Sequence, residues 1–258
     1  MSTTTICSWN VNSLKVRQSH VLDYLRDASP DVLGLQELKQ TTEAVDCAAF
    51  HEAGWQISVY GQKTYNGVAL ISKAAQEDVV YGFPGDNDPQ ARAIAATING
   101  IRVINLYVPN GKKVGDEKYE YKLSWLARLQ SYVEETLQTY DKVVVIGDFN
   151  IAPADLDVHD PKAWEGKILC SEPERDALNK LLSLGFYDGF RHIHPEREQF
   201  SWWDYRMGGL RRNLGLRIDL NLCSDTLSCN AADIDMEPRR LERPSDHAPA
   251  WVSVTPRA

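Results

Sequence analysis

Short apolar runs that end abruptly in polar side chains constrain this chain more than any other feature. Residues 142–146, Lys-Val-Val-Val-Ile, are β-branched and too few for a helix, and they empty into Gly147-Asp148-Phe149-Asn150. A run of this kind reads as a strand buried on both faces, which needs a covering layer on each side. The pattern recurs. Residues 5–9 lead into Asn10 and Asn12, residues 31–35 deliver Gln36 and Glu37, and residues 101–108 carry Tyr107 and stop just before Asn110. Helical spacing separates these runs. Val21, Leu22 and Leu25 fall on one face within 17–28, and Leu126, Leu129, Val133 and Leu137 do so within 123–140.

Between the helical stretches the chain follows hairpin grammar. Residues 55–60, 67–72, 91–98 and 101–108 read as strands, with Asn99-Gly100 as a two-residue turn. Residues 151–175 are polar and turn-rich, 175–184 is helical through Leu178, Leu181 and Leu182, and 218–223 and 249–254 supply two more strands. Hairpins mixed with crossover helices predict an α/β fold of two packed sheets covered by helices, in preference to one parallel doubly wound sheet. No linker interrupts the 258 residues, so a single domain over 1–258 is expected.

Charge and cysteine usage narrow the setting. Lys and Arg number 28 against 36 Asp and Glu, a net charge of -8, which excludes a polycationic nucleic-acid wrap while leaving room for a local basic groove. The five cysteines are scattered and form no CxxC pair, as expected for free thiols in a reducing compartment, the cytoplasm. No secretion signal and no apolar stretch of about 18 residues occurs, so no membrane association is expected. Without heptads or long exposed apolar runs, a monomer is expected.

Asp and Asn are also ordinary turn residues, so each polar strand end is weak evidence by itself. Chemical complementarity strengthens the set. Carboxylates and amide oxygens suit a hard divalent ion such as Mg2+, and a lone imidazole beside a carboxylate, as Asp246-His247 in RPSDHAP or Asp219 in LRIDL would allow, suits phosphate-ester chemistry. HExxH, GxSxG and GxxxxGK[ST] are all absent, so water is the expected nucleophile and phosphate the expected substrate group. The acidic run Asp155, Asp157 and Asp160 lacks the glycine and glutamate of a calcium loop and reads as loop, and His192 and His194 read as surface. Residues 202–217 carry Arg206, Arg211, Arg212 and Arg217 beside Trp202-Trp203. That pairing fits bases and phosphates, and it equally fits a solvated face with one core tryptophan.

Taken in order, the segments SWNVNSL, LQELK, YNGVALIS, NLYVPNG, GDFNIAP, FSWWDYR, GLRIDL and RPSDHAP resemble the exonuclease III family of DNA-repair enzymes, within the exonuclease, endonuclease and phosphatase superfamily. The resemblance runs from about residue 5 to residue 255. It implies a four-layer α-β-β-α sandwich of two mixed sheets flanked by helices. It also implies hydrolysis of DNA phosphate esters with Mg2+, or Mn2+ in its place, leaving a 3'-hydroxyl.

Carried over residue by residue, the resemblance makes Glu37 the main metal carboxylate, with Asn10 shaping the site and Asp246 a second-site or supporting carboxylate. Asp148 would deprotonate the attacking water and Asn150 steady it. His247 would contact a phosphate oxygen, with Asp219 orienting its imidazole, while Tyr107 and Asn110 bind or polarise the phosphate. Asn12, Lys122, Trp202, Arg206 and Arg217 join the substrate-binding set, Trp202 as the aromatic wall of an abasic pocket and Trp203 as core. The implied partner is double-stranded DNA with abasic sites or damaged or recessed 3' ends. Residues 155–170 could narrow that pocket and specialise the enzyme for 3' ends. A lipid or inositol phosphate hydrolase on the same scaffold is disfavoured by FSWWDYR joined to GLRIDL. A non-catalytic DNA-binding protein is disfavoured because every catalytic position is filled.

Overall fold

A computed structural model describes residues 2–257. In chain order the elements are β1 (Thr4–Asn10), α1 (Leu14–Asp27), β2 (Val32–Gln36), α2 (Cys47–Glu52), β3 (Gln56–Tyr60), β4 (Val68–Ser72) and β5 (Glu77–Tyr81). There follow β6 (Ala93–Ile98), β7 (Ile101–Tyr107), α3 (Glu117–Leu137), β8 (Val143–Asp148), α4 (Pro161–Trp164), α5 (Glu172–Leu182), β9 (Phe186–Asp188) and α6 (Gly189–Ile193). The series closes with β10 (Trp202–Trp203), β11 (Gly215–Leu216), β12 (Asp219–Ser224), β13 (Leu227–Ile234) and β14 (Ala250–Pro256).

Two six-stranded sheets form, in the orders β13-β14-β1-β2-β4-β3 and β5-β6-β7-β8-β12-β9. Both are mixed, because each holds one parallel pair: β1 with β2 and β7 with β8. Helix α1 makes the first crossover and α3 the second, as parallel neighbours require. The sheets face each other through Ile6, Val32, Leu70, Ile94, Val103, Val144, Ile146 and Val252. Leu14, Val21 and Leu25 of α1 and Phe50 of α2 cover one outer face, and Trp125, Leu129, Leu178 and Leu181 of α3 and α5 cover the other. The result is the four-layer α-β-β-α sandwich. Each fully buried Val, Leu or Ile contributes ~1.5–3 kcal/mol to it. Among the described residues no helix is long and apolar enough to cross a membrane.

At the tip of the β6-β7 hairpin Ile98 pairs with Ile101, and Asn99 and Gly100 have φ of 53° and 73°. Two positive φ values are what a type I′ turn demands. Helix α3 starts at Glu117, earlier than the leucine spacing indicates, because Asp116 accepts a bond from Lys118 N at 3.0 Å and caps a polar first turn. Strands β5, β9 and β13, which the sequence pattern does not show, lie at sheet edges, as does β3, which it does show. There one face meets solvent and the apolar signal thins.

A polar seam crosses the inter-sheet core. Gln36 Nε2 donates to Asn105 Oδ1 at 2.6 Å, and Asn105 Nδ2 donates to the carbonyls of Leu35 and Ala69 at 2.9 Å. Gly34 makes room, since a Cβ there would stand 2.8 Å from Asn105 Cγ. Buried amide contacts of this kind favour one register between the sheets, although Gln36 Oε1 itself has no partner. The two parallel pairs therefore end at matched heights.

Candidate active site

Those matched ends make the site. The C-terminal ends of β1 and β2 present Asn10 and Glu37, and those of β7 and β8 present Tyr107 and Asp148. Asn10 Nδ2 spans the gap, donating to Glu37 Oε1 at 2.9 Å and to Asp148 Oδ2 at 2.8 Å. Its carbonyl oxygen is engaged by Asn12 N at 2.9 Å, so Asn10 shapes the site as a brace between the carboxylates. Asn12, Glu37 and Asn150 all have φ between 44° and 53°. Asn tolerates that region; Glu does not, which marks a locally strained backbone at Glu37.

Across from Glu37 runs a line of buried acceptors and donors. His247 Nδ1 lies 2.8 Å from Asp219 Oδ2, and its Nε2 faces Asp148 Oδ2 at 3.7 Å. Ser201 Oγ donates to Asp219 Oδ2 at 2.6 Å and accepts from the backbone nitrogens of Ile218 and Asp219. Burial opposes charge on the imidazole, yet the Asp219 and Asp148 carboxylates more than offset it, and the His247 pKa rises to about 10. Burial pushes the Asp148 carboxyl up to about 7, against the pull of His247. Tyr107 is raised well above its ordinary value by burial and by the neighbouring Glu37 and Asp148 carboxylates, so its phenol stays protonated.

Asn150 is held from three sides. Its N–H donates to Asp148 Oδ1 at 2.9 Å, its Nδ2 to Val108 O at 3.0 Å, and its Oδ1 accepts from Asn110 Nδ2 at 3.0 Å. On the opposite wall Asp246 accepts from Asn12 Nδ2 at 2.9 Å and from Trp202 Nε1 at 3.1 Å. Ligand atoms of Glu37, Asp148 and His247 lie within 4.8 Å of one another. Carboxylate oxygens at that spacing suit a hard divalent ion, and the Lys39 ammonium already sits 3.0 Å from Glu37 Oε2 and bonds Asn12 Oδ1. A cation is thus accommodated at this edge. Both ring nitrogens of His247 face carboxylates, which leaves the carboxylates as the metal donors.

This arrangement can be set beside known proteins. The pattern that defines the Endonuclease/Exonuclease/phosphatase family matches residues 7–247. The chain belongs to that family. Within it, the chain is 37% identical over 260 residues to exodeoxyribonuclease III of Haemophilus influenzae, covering 95% of this chain and 97% of that protein. The solved 3' phosphatase NExo from Neisseria, bound to a product DNA hairpin, superposes with a TM-score of 0.94 at 46% identity over 96% of this chain and 98% of that one. An AP endonuclease from Archaeoglobus fulgidus gives 0.92 at 38% identity over 99% of this chain and 100% of that one.

Two charged residues expected to touch substrate do not lie on the surface of this endonuclease/exonuclease/phosphatase family member. Lys122 is fully buried, paired with Glu174, and donates to Asn150 O at 2.7 Å and Asn110 O at 3.2 Å. It supports the two asparagines from beneath. Arg217 is also buried, between Asp157 and Asp188. Arg206 is exposed and forked onto Asp204. Asp246 lies outside the group formed by Glu37, Asp148 and His247, and its two oxygens hold Asn12 Nδ2 and Trp202 Nε1. Trp202 is partly exposed with its ring centroid 6.5 Å from that of His247, while Trp203 is core. Sequence reasoning missed Ser201, Asn105 and Ser245, whose Oγ donates to Asn10 O at 2.6 Å and accepts from His247 N at 3.2 Å. Ser201 stands inside FSWWDYR, where its neighbours drew the attention.

Lys122→Met would leave the Glu174 carboxylate buried without its cation, and is expected to cost about 3–5 kcal/mol of folding stability. A urea unfolding midpoint equal to that of the unaltered chain would contradict this assignment.

Proposed function

We propose that this chain is a divalent-metal-dependent phosphodiesterase of DNA repair. It acts on duplex DNA as a 3'-to-5' exonuclease and 3'-phosphatase and incises at abasic sites. In each case the bond broken joins phosphorus to a 3'-oxygen, so one site serves all three and leaves a 3'-hydroxyl. One observation carries this reading: a buried imidazolium, fixed by Asp219, directs Nε2 at Asp148, within 4.8 Å of the Glu37 carboxylate. That combination offers positive charge to a phosphoryl oxygen and a carboxylate to a water.

Glu37, with Asp148 across from it, would hold the ion, which when bound would offset charge developing on the phosphate and the departing oxygen. His247 donates to a non-bridging phosphate oxygen. Asp148 takes a proton from the attacking water, and Asn150 holds that carboxylate in place through its N–H. The relatives support DNA as substrate, since the names of the Haemophilus and Archaeoglobus proteins and the DNA hairpin of the Neisseria complex all point there.

A second reading, specialisation for 3' ends, is favoured by the loop after β8. Trp164 and Ile168 pack with Trp202 on a small apolar cluster of Ala152, Val158, Leu169, Cys170, Leu216 and Ile218. The aromatic wall and the loop thereby share one apolar support.

The test is a labelled duplex series carrying an internal abasic site, a recessed 3' end or a 3'-phosphate, incubated with Mg2+ or with EDTA. Products ending in 3'-hydroxyl, lost with EDTA, are expected. Absence of cleavage on every duplex, or cleavage that survives chelation, would sink the proposal. Processing at 3' ends alone would select the second reading.

A further inference from the structure

The wall of the pocket belongs to a ribbon of four chain segments, 157–159, 215–217, 201–203 and 246–248. Arg217 N donates to Asp157 O at 2.9 Å and His159 N to Gly215 O at 3.2 Å, with Val158 bridged to Leu216. Ser201 N donates to Leu216 O at 3.0 Å, and Trp202 pairs with Leu216. Ala248 N donates to Ser201 O at 2.7 Å, Trp203 N to Asp246 O at 3.1 Å, and Trp202 is bridged to His247. Loop, aromatic wall and catalytic histidine are consecutive rungs.

A buried charge cluster anchors the outer rung. Arg217 Nε donates to Asp157 Oδ1 at 2.7 Å, and its Nη2 stands 2.7 Å from Asp188 Oδ2 as an ion pair without hydrogen-bond alignment. Asp157 Oδ1 also receives Arg191 Nη2 at 2.6 Å, and Asp157 Oδ2 accepts from Ala154 N at 3.0 Å. Asp188 Oδ1 caps α6 through Arg191 N at 3.1 Å. The guanidinium lies over the Phe190 ring, 5.1 Å from its centroid.

Burying such a cluster is a poor way to add stability, because well-packed apolar residues of similar volume commonly do as well or better. What the guanidinium supplies is one cation that reaches two carboxylates on separate elements, hydrogen-bonded to Asp157 and ion-paired with Asp188. Those elements are the foot of the loop after β8 and the junction of β9 with α6. We propose that Arg217 is a positioning residue for substrate: by tying Asp157 to Asp188 it sets the ribbon so that the Trp202 wall stands at a fixed separation from His247, and thereby governs how DNA is seated. This rests on the phosphodiesterase reading.

The experiment compares Arg217→Lys with the unaltered enzyme on a duplex bearing a 3'-phosphate and on bis(4-nitrophenyl) phosphate, a small diester that carries none of the duplex the wall would seat. Lysine keeps the charge but reaches only one carboxylate. KM for the duplex is expected to rise by about tenfold or more, with kcat on the small diester within about twofold. Equal losses on both substrates, or no change on either, would overturn the positioning role. Should Arg217→Lys fold poorly by thermal melting, Asp188→Asn retains the α6 cap while removing one arm of the clamp, and the same split is required of it. Inactivity of the unaltered enzyme on both substrates would refute the phosphodiesterase reading itself.

Discussion

Asp148→Asn is expected to lower turnover on duplex DNA by ~10²–10⁴-fold, the range associated with losing a positioned general acid or base. The substitution keeps the volume of a side chain that is almost wholly buried, and its remaining oxygen can still accept from Asn150 N. The new amide nitrogen turns toward Asn10 Nδ2, which donates to the carboxylate in the unaltered chain. Proton acceptance and part of the brace are therefore lost together. Single-turnover kinetics with saturating enzyme would isolate the chemical step. Retention of more than about a tenth of the rate would remove Asp148 from the role given to it.

Asp219→Asn should act through His247. The Asp219 carboxylate is the foremost of the influences that raise the imidazole, and burial works in the opposite direction. Without it the pKa of about 10 falls. The raised pKa contributes stability that is complete below the unfolded value of ~6.5 and disappears as pH climbs through about 10. The variant should lose that contribution at lower pH. Activity near neutrality should drop ~10²–10³-fold, as for removal of one charge-stabilising donor, and the alkaline limb of the pH–rate profile should move toward acid. An NMR titration of His247 that matches the unaltered protein would contradict this account.

Much of the fold was legible because its inner strands are apolar on both faces. Residues 142–146 announce β8 and the turn that follows, and Asn99-Gly100 announces a hairpin. Site residues at strand ends, Asn10, Glu37, Tyr107 and Asp148, were legible for the same reason, since a polar group closing an apolar run must find a partner or a ligand. Burial of isolated charges was not legible. Lys122 meets Glu174 52 positions away and Arg217 meets Asp157 60 positions away. Nothing local separates such residues from the exposed Arg206. Ser201 and Asn105 were hidden similarly, because their importance lies in what the second sheet or the ribbon brings to them.

Because Asn10 and Glu37 come from one sheet, Asp148 and Asp219 from the other, and His247 from just before β14, the hydrolytic centre exists only after the halves have closed on each other. A nascent or proteolysed chain that contains just one parallel pair has the right residue types at a bare sheet end, with no partner to complete them. Competence thus arrives at the same moment as the native state. For a nuclease of this family, that timing ties the appearance of the site to completion of the fold.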